Sequence, residues 1–200
     1  IDILPPEDWS AVDATLDQLD KYDWLVFTSV NGVESFLDRL WSRGSDVRRL
    51  GSIRLAAIGS ATADALANRQ LRADVVPHEY RAEALAEALV PIVQNLRVLW
   101  PRASRGRDVL PNALRAVGAT VDELVVYQNV DADCLPTTVL EGLEAGRLNW
   151  IGLSSPSIAR RFAELMSQKA RHQLGTTTRL AAISPVTAAA AEEVGLPVAT

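Results

Sequence analysis

The chain contains nearly the same thirteen residues twice. "RLAAIGSATADAL" occupies positions 54–66 and "RLAAISPVTAAAA" positions 179–191. Leu55 recurs at Leu180 and Thr62 at Thr187, both at an offset of 125, and Trp24 recurs at Trp150 at an offset of 126. Two separate segments at nearly one offset, "WLVFTSVNGVESFLDRL" and "WIGLSSPSIARRFAELM" being the second pair, mark a duplicated domain. The period is too long for a solenoid, whose repeats run to tens of residues.

Each copy reads as strand, turn and helix. "DWLVFTS" (23–29) is a continuous apolar run of the kind buried on both faces of a parallel sheet. It leads into a segment where Val33, Phe36, Leu37 and Leu40 follow the i, i+3, i+4, i+7 spacing of a helix face. "LAAIGS" into "ATADALAN" forms a second unit, "ADVVP" (73–77) a further strand before a helical stretch, and "RVLWPR" leads through a helix to a stop at Gly118 and the strand "TVDELVVYQ". "NWIGLSS" enters "PSIARRFAELM", and "RLAAIS" enters "VTAAAAEEVG". This alternation predicts an α/β fold of two similar domains, each a parallel β-sheet flanked by helices. The five tryptophans, Trp9, Trp24, Trp41, Trp100 and Trp150, are expected in the core.

The duplication also predicts domain organisation. The unit at 97–127 has no second copy within the chain, and its counterpart would precede residue 1. Residues 1–127 are therefore expected to form a complete inserted domain and 128–200 a partial second one. The second would be completed by a strand-helix-strand before residue 1 and a helix beyond Thr200. Two crossings between the domains make a two-stranded linker.

Composition narrows the chemistry. The chain has 200 residues, 20 Lys and Arg against 25 Asp and Glu, and no block of like charge, so no nucleic-acid footprint is visible. Cys134 is the single cysteine, and His78 and His172 lie far apart, which leaves no internal disulfide and little to bind a soft metal. No apolar run approaches the roughly 20 residues of a membrane span. A cytoplasmic protein is the expectation. Neither G-x-G-x-x-G nor G-x-x-x-x-G-K-[ST] occurs, which argues against a nucleotide enzyme.

Four turns at predicted strand ends carry hydroxyls: Thr28, Ser29 and Asn31; Gly59, Ser60 and Thr62; Ser154, Ser155 and Ser157; Ser184 and Thr187. Any one of them is equally a helix cap, and Pro156 after Ser155 fits a cap with proline at the first helical position. Together, at the carboxyl ends of parallel strands, they read as an anion-binding surface. "RASRGRD" (102–108) concentrates Arg102, Arg105 and Arg107, either a carboxylate clamp or a solvated loop. Arg54 and Arg179 precede their strands and read as surface residues.

The motifs "DWLVFTSVNGV", "LAAIGSATADAL", "ADVVPHEYRAEALAEAL", "LWPRASRGRDVLPNALRAVGATVDELVVYQ", "IGLSSPSIARRF" and "LAAISPVTAAAAEEVGLPV", in this order, resemble the uroporphyrinogen-III synthase family. The resemblance implies two α/β domains joined by a two-stranded linker, one inserted in the other. It implies closure of the linear tetrapyrrole hydroxymethylbilane to uroporphyrinogen III, with loss of water and inversion of the last ring through a spiro intermediate, without metal or organic cofactor. It further implies a monomer and a transient contact with hydroxymethylbilane synthase, which makes the substrate, with no nucleic acid or membrane involved. Tyr127, in the matching "VYQ" position at the end of its strand, is implied as the catalytic residue, a general acid for the departing hydroxyl. Thr28, Ser29, Ser60, Thr62, Arg102, Ser155, Ser157 and Thr187 are the substrate-binding candidates. The resemblance departs at Ser184, where the family pattern has glycine. A non-catalytic two-domain α/β sensor for an anionic metabolite is the alternative; it would not need a hydroxyl at Tyr127.

Overall fold

In the computed structural model, which describes residues 1–199, the chain forms two compact units: Ile3–Asn129, and Ile1–Asp2 together with the chain from Val130 onward. Strand β1 (Asp2–Leu4) and helix α1 (Ser10–Leu16) precede β2 (Trp24–Phe27), α2 (Val30–Ser42), β3 (Arg54–Ala57), α3 (Ser60–Asn68), α4 (Ala82–Leu89), β4 (Arg97–Ala103), α5 (Val109–Ala116) and β5 (Thr120–Val130). The sheet order is β1-β5-β4-β2-β3, and the β5–β4, β4–β2 and β2–β3 pairs are parallel. The chain enters the first unit within β1 and leaves it within β5, which are neighbours in the sheet.

β2 is buried at all four positions, as a strand covered on both faces must be. Alternation sends Leu25 and Phe27 to a cluster with Val33, Phe36, Leu37 and Leu40 of α2, and Trp24 and Val26 to another with Leu85 and Leu89 of α4 and Leu110 and Leu114 of α5. Phe27 and Phe36 meet edge to face, with ring centroids 5.8 Å apart. α2 starts where Ser29, extended at φ −162° and ψ 155°, accepts a hydrogen bond from Gly32 N. α5 stops at Gly118, whose φ of +86° suits glycine.

The second unit holds α6 (Thr137–Glu144), β6 (Trp150–Leu153), α7 (Pro156–Leu165), α8 (Gln168–Gln173), β7 (Arg179–Ala182) and α9 (Pro185–Glu193). Here the duplication becomes visible in the pairing. Trp24 lies opposite Arg54 and Leu25 opposite Leu55, while Trp150 lies opposite Arg179 and Ile151 opposite Leu180. Both arginines sit over their tryptophans, Arg54 5.4 Å from the Trp24 ring and Arg179 5.6 Å from the Trp150 ring.

Three local expectations are corrected. The run at 73–77 forms no strand; Val75 alone makes a bridge, to Ala56, because Asp74 turns its carboxylate onto Leu55 N and the chain leaves the sheet at Pro77. β5 does not end at Tyr127 but continues to Val130. Trp24 and Trp100 are buried, but Trp41 is 71% exposed and Trp150 52% exposed. Trp41 lies one position past Leu40 on the outer face of α2, and Trp150 lies outside its unit's apolar cluster. The two members of the repeat should therefore respond differently to truncation. Trp24→Ala is expected to cost about 3–5 kcal/mol and Trp150→Ala under about 1 kcal/mol, measured by urea denaturation.

Candidate active site

The first unit reverses direction at β2. The connection through α2 leads to β3 on one side, and β4, on the other side, leads through α5 to β5. Helices α2 and α5 pack on opposite faces of the sheet, so the turns leaving the carboxyl ends of β2 and β4 diverge and open a crevice, the usual ligand site of such sheets. A cavity of about 210 Å³ lies there, lined by Thr28, Ser29, Arg102, Arg105, Tyr127 and Asn129 among others. Small-molecule sites run to roughly 300–1,000 Å³, so this cavity suits one end of a larger ligand. Larger grooves lie elsewhere: about 600 Å³ beside Cys134 and Phe162, about 390 Å³ beside Trp9 and the short strand β1, and about 300 Å³ at the ends of β6 and β7 beside Ser154 and Ile183.

A β-bulge aims Tyr127 into this crevice. Arg102 pairs with Val125, but Ala103 pairs with Tyr127, so β5 carries one extra residue at Val126. In a regular strand Val126 and Tyr127 would face opposite ways; here both join the cluster formed with α2. Tyr127 is 6% exposed, and its hydroxyl lies 2.9 Å from Ser29 Oγ, which in turn accepts Gly32 N–H at 3.0 Å. Gly32 suits the close approach: a Cβ there would stand 3.1 Å from Ser29 Oγ and 3.3 Å from the Pro101 carbonyl oxygen, so its neighbours would have to give by a few tenths of an ångström.

On the other side of the crevice Trp100 Nε1 donates to Thr28 Oγ1 at 3.0 Å. The Arg102 guanidinium stacks on Trp100, 4.4 Å from the ring centroid, and is 11% exposed. Arg102 is a strand residue of β4 rather than part of a loose loop. It pairs with Glu123, which also takes Arg115 at 3.0 Å, and it donates to Asp108 at 3.3 Å. Arg107 is exposed and pairs with Glu83 at 2.8 Å, and with Arg81 this holds the Glu83 carboxyl below its usual range, its own backbone contributing most. A substrate carboxylate reaching Arg102 would displace Asp108, the longer and more exposed of its two partners.

The structure brings Thr28, Ser29, Arg102 and Tyr127 together and leaves the other candidates elsewhere. Ser60 is exposed and opens α3, whose cap Gly59 offers no side-chain oxygen; Thr62 is buried at 4% exposure. Thr187 is 1% exposed, with its hydroxyl 3.0 Å from Ser184 Oγ. Both threonines thus lie at the starts of their helices with their side chains covered by protein. In the second unit Ser155 caps α7 through Ile158 N and lies 3.1 Å from Ser157 Oγ. Trp100, in the core as expected, also lines the cavity, and so does Asn129, which no motif in the sequence singles out. Among the described residues no group of three or more His, Cys, Asp or Glu is placed to hold a metal ion, and no helix is long and apolar enough to cross a membrane.

The family model for uroporphyrinogen-III synthase HemD matches residues 1–200. The chain belongs to the uroporphyrinogen-III synthase family. It is 33% identical over 171 residues to a uroporphyrinogen-III synthase of Synechococcus elongatus, covering 84% of this chain and 63% of that protein. It is 29% identical over 201 residues to one of Chlorobaculum parvum, covering 99% of this chain and 78% of that protein. Solved structures of uroporphyrinogen III synthases share the fold: one from Helicobacter pylori at TM-score 0.63 and 22% identity, covering 90% of this chain and 76% of that one, and one from Thermus thermophilus at 0.61 and 20%, covering 98% and 78%. The family's α/β architecture is thus present, and Ser29 is the cap on which its crevice is organised. Ser29→Ala is expected to lower stability by about 1–2 kcal/mol and Ser29→Gly by under about 1 kcal/mol, since glycine caps nearly as well, measured by denaturant titration.

Proposed function

We propose that this protein is a uroporphyrinogen-III synthase, a cyclising lyase acting on hydroxymethylbilane. The observation that carries the reading is the Tyr127 hydroxyl, turned by a bulge into the crevice at the carboxyl ends of β2 and β4, beside Ser29 and across from Arg102. The substrate carries acidic side chains on every pyrrole ring. Arg102 offers a planar fork for one carboxylate, with Thr28 beside it on the β2 turn. Ser60 extends the anion-binding surface at the neighbouring turn; Thr62 on the same turn, and Ser155, Ser157 and Thr187 on the corresponding turns of the second unit, are the further candidates.

In this reading Tyr127 protonates the terminal hydroxyl, which departs as water and leaves a cation conjugated with its pyrrole. The last ring attacks through its substituted carbon, and the spiro intermediate fragments and recloses with that ring inverted. Beyond the proton, the protein holds a flexible chain in a cyclisable shape and keeps water from the cation. No metal or organic cofactor is needed. We place the reaction in the cytoplasm, in a monomer that receives its unstable substrate through transient contact with hydroxymethylbilane synthase.

The test supplies freshly made hydroxymethylbilane and separates the product isomers after oxidation. The type III isomer is expected in excess over the spontaneous type I isomer. Tyr127→Phe is expected to lower kcat by about 10- to 100-fold with a smaller change in KM. Type I product alone would leave a binding or sensor protein as the better reading.

A further inference from the structure

Ser29 has one proton to give and two lone pairs to fill. The Gly32 N–H takes one lone pair at 3.0 Å, and the Tyr127 hydroxyl stands 2.9 Å away. Two arrangements remain. Tyr127 donates to the second lone pair, and its proton is then spent on Ser29; or Ser29 donates to the phenolic oxygen, and Tyr127 keeps its proton for the cavity that both residues line. Only the second serves an acid.

We propose that Ser29 is a positioning residue for Tyr127, donating its hydroxyl proton to the phenolic oxygen so that the Tyr127 proton is presented to the leaving group. The proposal rests on the reading of Tyr127 as the acid. In the step, the Tyr127 proton passes to the terminal hydroxyl oxygen of the bilane. The C–O bond breaks with both electrons leaving on water, and electrons of the adjoining pyrrole fill the vacated carbon. The phenolate that remains accepts the Ser29 O–H, a charge-assisted bond stronger than the neutral one it replaces. Ser29 oxygen stays anchored on an amide at the positive end of α2. The proton released when the macrocycle closes returns to Tyr127, so one water is lost overall and the enzyme is regenerated.

Two features of the fold support a built arrangement. Gly32 lets the start of α2 press against β4, since a Cβ would crowd both Ser29 Oγ and the Pro101 carbonyl. The duplicated turn supplies an internal comparison: Ser155 caps α7 in the same extended conformation, but its hydroxyl meets Ser157 Oγ at 3.1 Å rather than a phenol.

Steady-state turnover of hydroxymethylbilane by Ser29→Gly, Ser29→Thr, Tyr127→Phe and the Ser29→Gly/Tyr127→Phe double variant tests this. Glycine keeps the helix start and removes the hydroxyl. Ser29→Gly is expected to lower kcat by about 10- to 100-fold, the worth of a hydrogen bond to a charged group, with KM within about threefold. Ser29→Thr is expected to restore most of the turnover, and in the Tyr127→Phe background the loss of Ser29 should add little. An unchanged kcat for Ser29→Gly beside a lowered one for Tyr127→Phe would overturn the proposal and leave the acid in place, as would a Ser29→Gly loss repeated in full on top of Tyr127→Phe. Wild-type turnover by Tyr127→Phe removes the acid itself and the proposal with it.

Discussion

The burial of β2 on both faces is the constraint from which the rest of the first unit follows. Four consecutive apolar residues, Trp24 to Phe27, can be hidden only if helices cover both sides of the sheet. That requires the connection through α2 and the one through α5 to pack on opposite faces. The crevice between the ends of β2 and β4 is the geometric residue of that reversal, and it exists before any side chain is chosen to fill it. Thr28 and Ser29 reach it because they follow β2 directly; Arg102 reaches it because it stacks on Trp100 on the same face of β4. Tyr127 alone needs a departure from regular geometry, and the bulge at Val126 supplies it.

The duplication shows how one turn is put to different uses. All four N-cap residues, Ser29, Gly59, Ser155 and Ser184, are extended. Three use a serine oxygen to hold the third amide of their helix, and at Gly59 no side chain does so. Thr62 and Thr187 occupy equivalent positions and are both buried. Trp24 and Trp150 share a register position and a stacked arginine, yet one is core and the other half-exposed. Equivalence in sequence thus fixed backbone and pairing, while neighbours decided what each side chain does.

Much of this was legible beforehand. The period-3.6 pattern placed Val33, Phe36, Leu37 and Leu40 on the buried face of α2, the repeat anticipated the matching strand registers, and Gly118 ended α5. Ser-Pro at 155–156 signalled a capped helix with proline in its first turn. The bulge was not legible, because "LVVYQ" reads as an unbroken strand and the extra residue is defined only by its partner on β4. Nor were the partners of Arg102: Glu123 lies on another strand, and only the register joins them. Exposure of Trp41 and burial of Thr62 depend on what packs against a helix, which the helix's own residues do not state.

In the proposed reaction Tyr127 meets the leaving group in the crevice between β2 and β4. A crystal structure of the protein with an unreactive hydroxymethylbilane analogue measures this directly. The oxygen that takes the place of the leaving hydroxyl is expected within about 3 Å of the Tyr127 oxygen, with Ser29 on the far side of the phenol. An analogue bound with that end of the chain away from the crevice, and Tyr127 touching only protein, would contradict it.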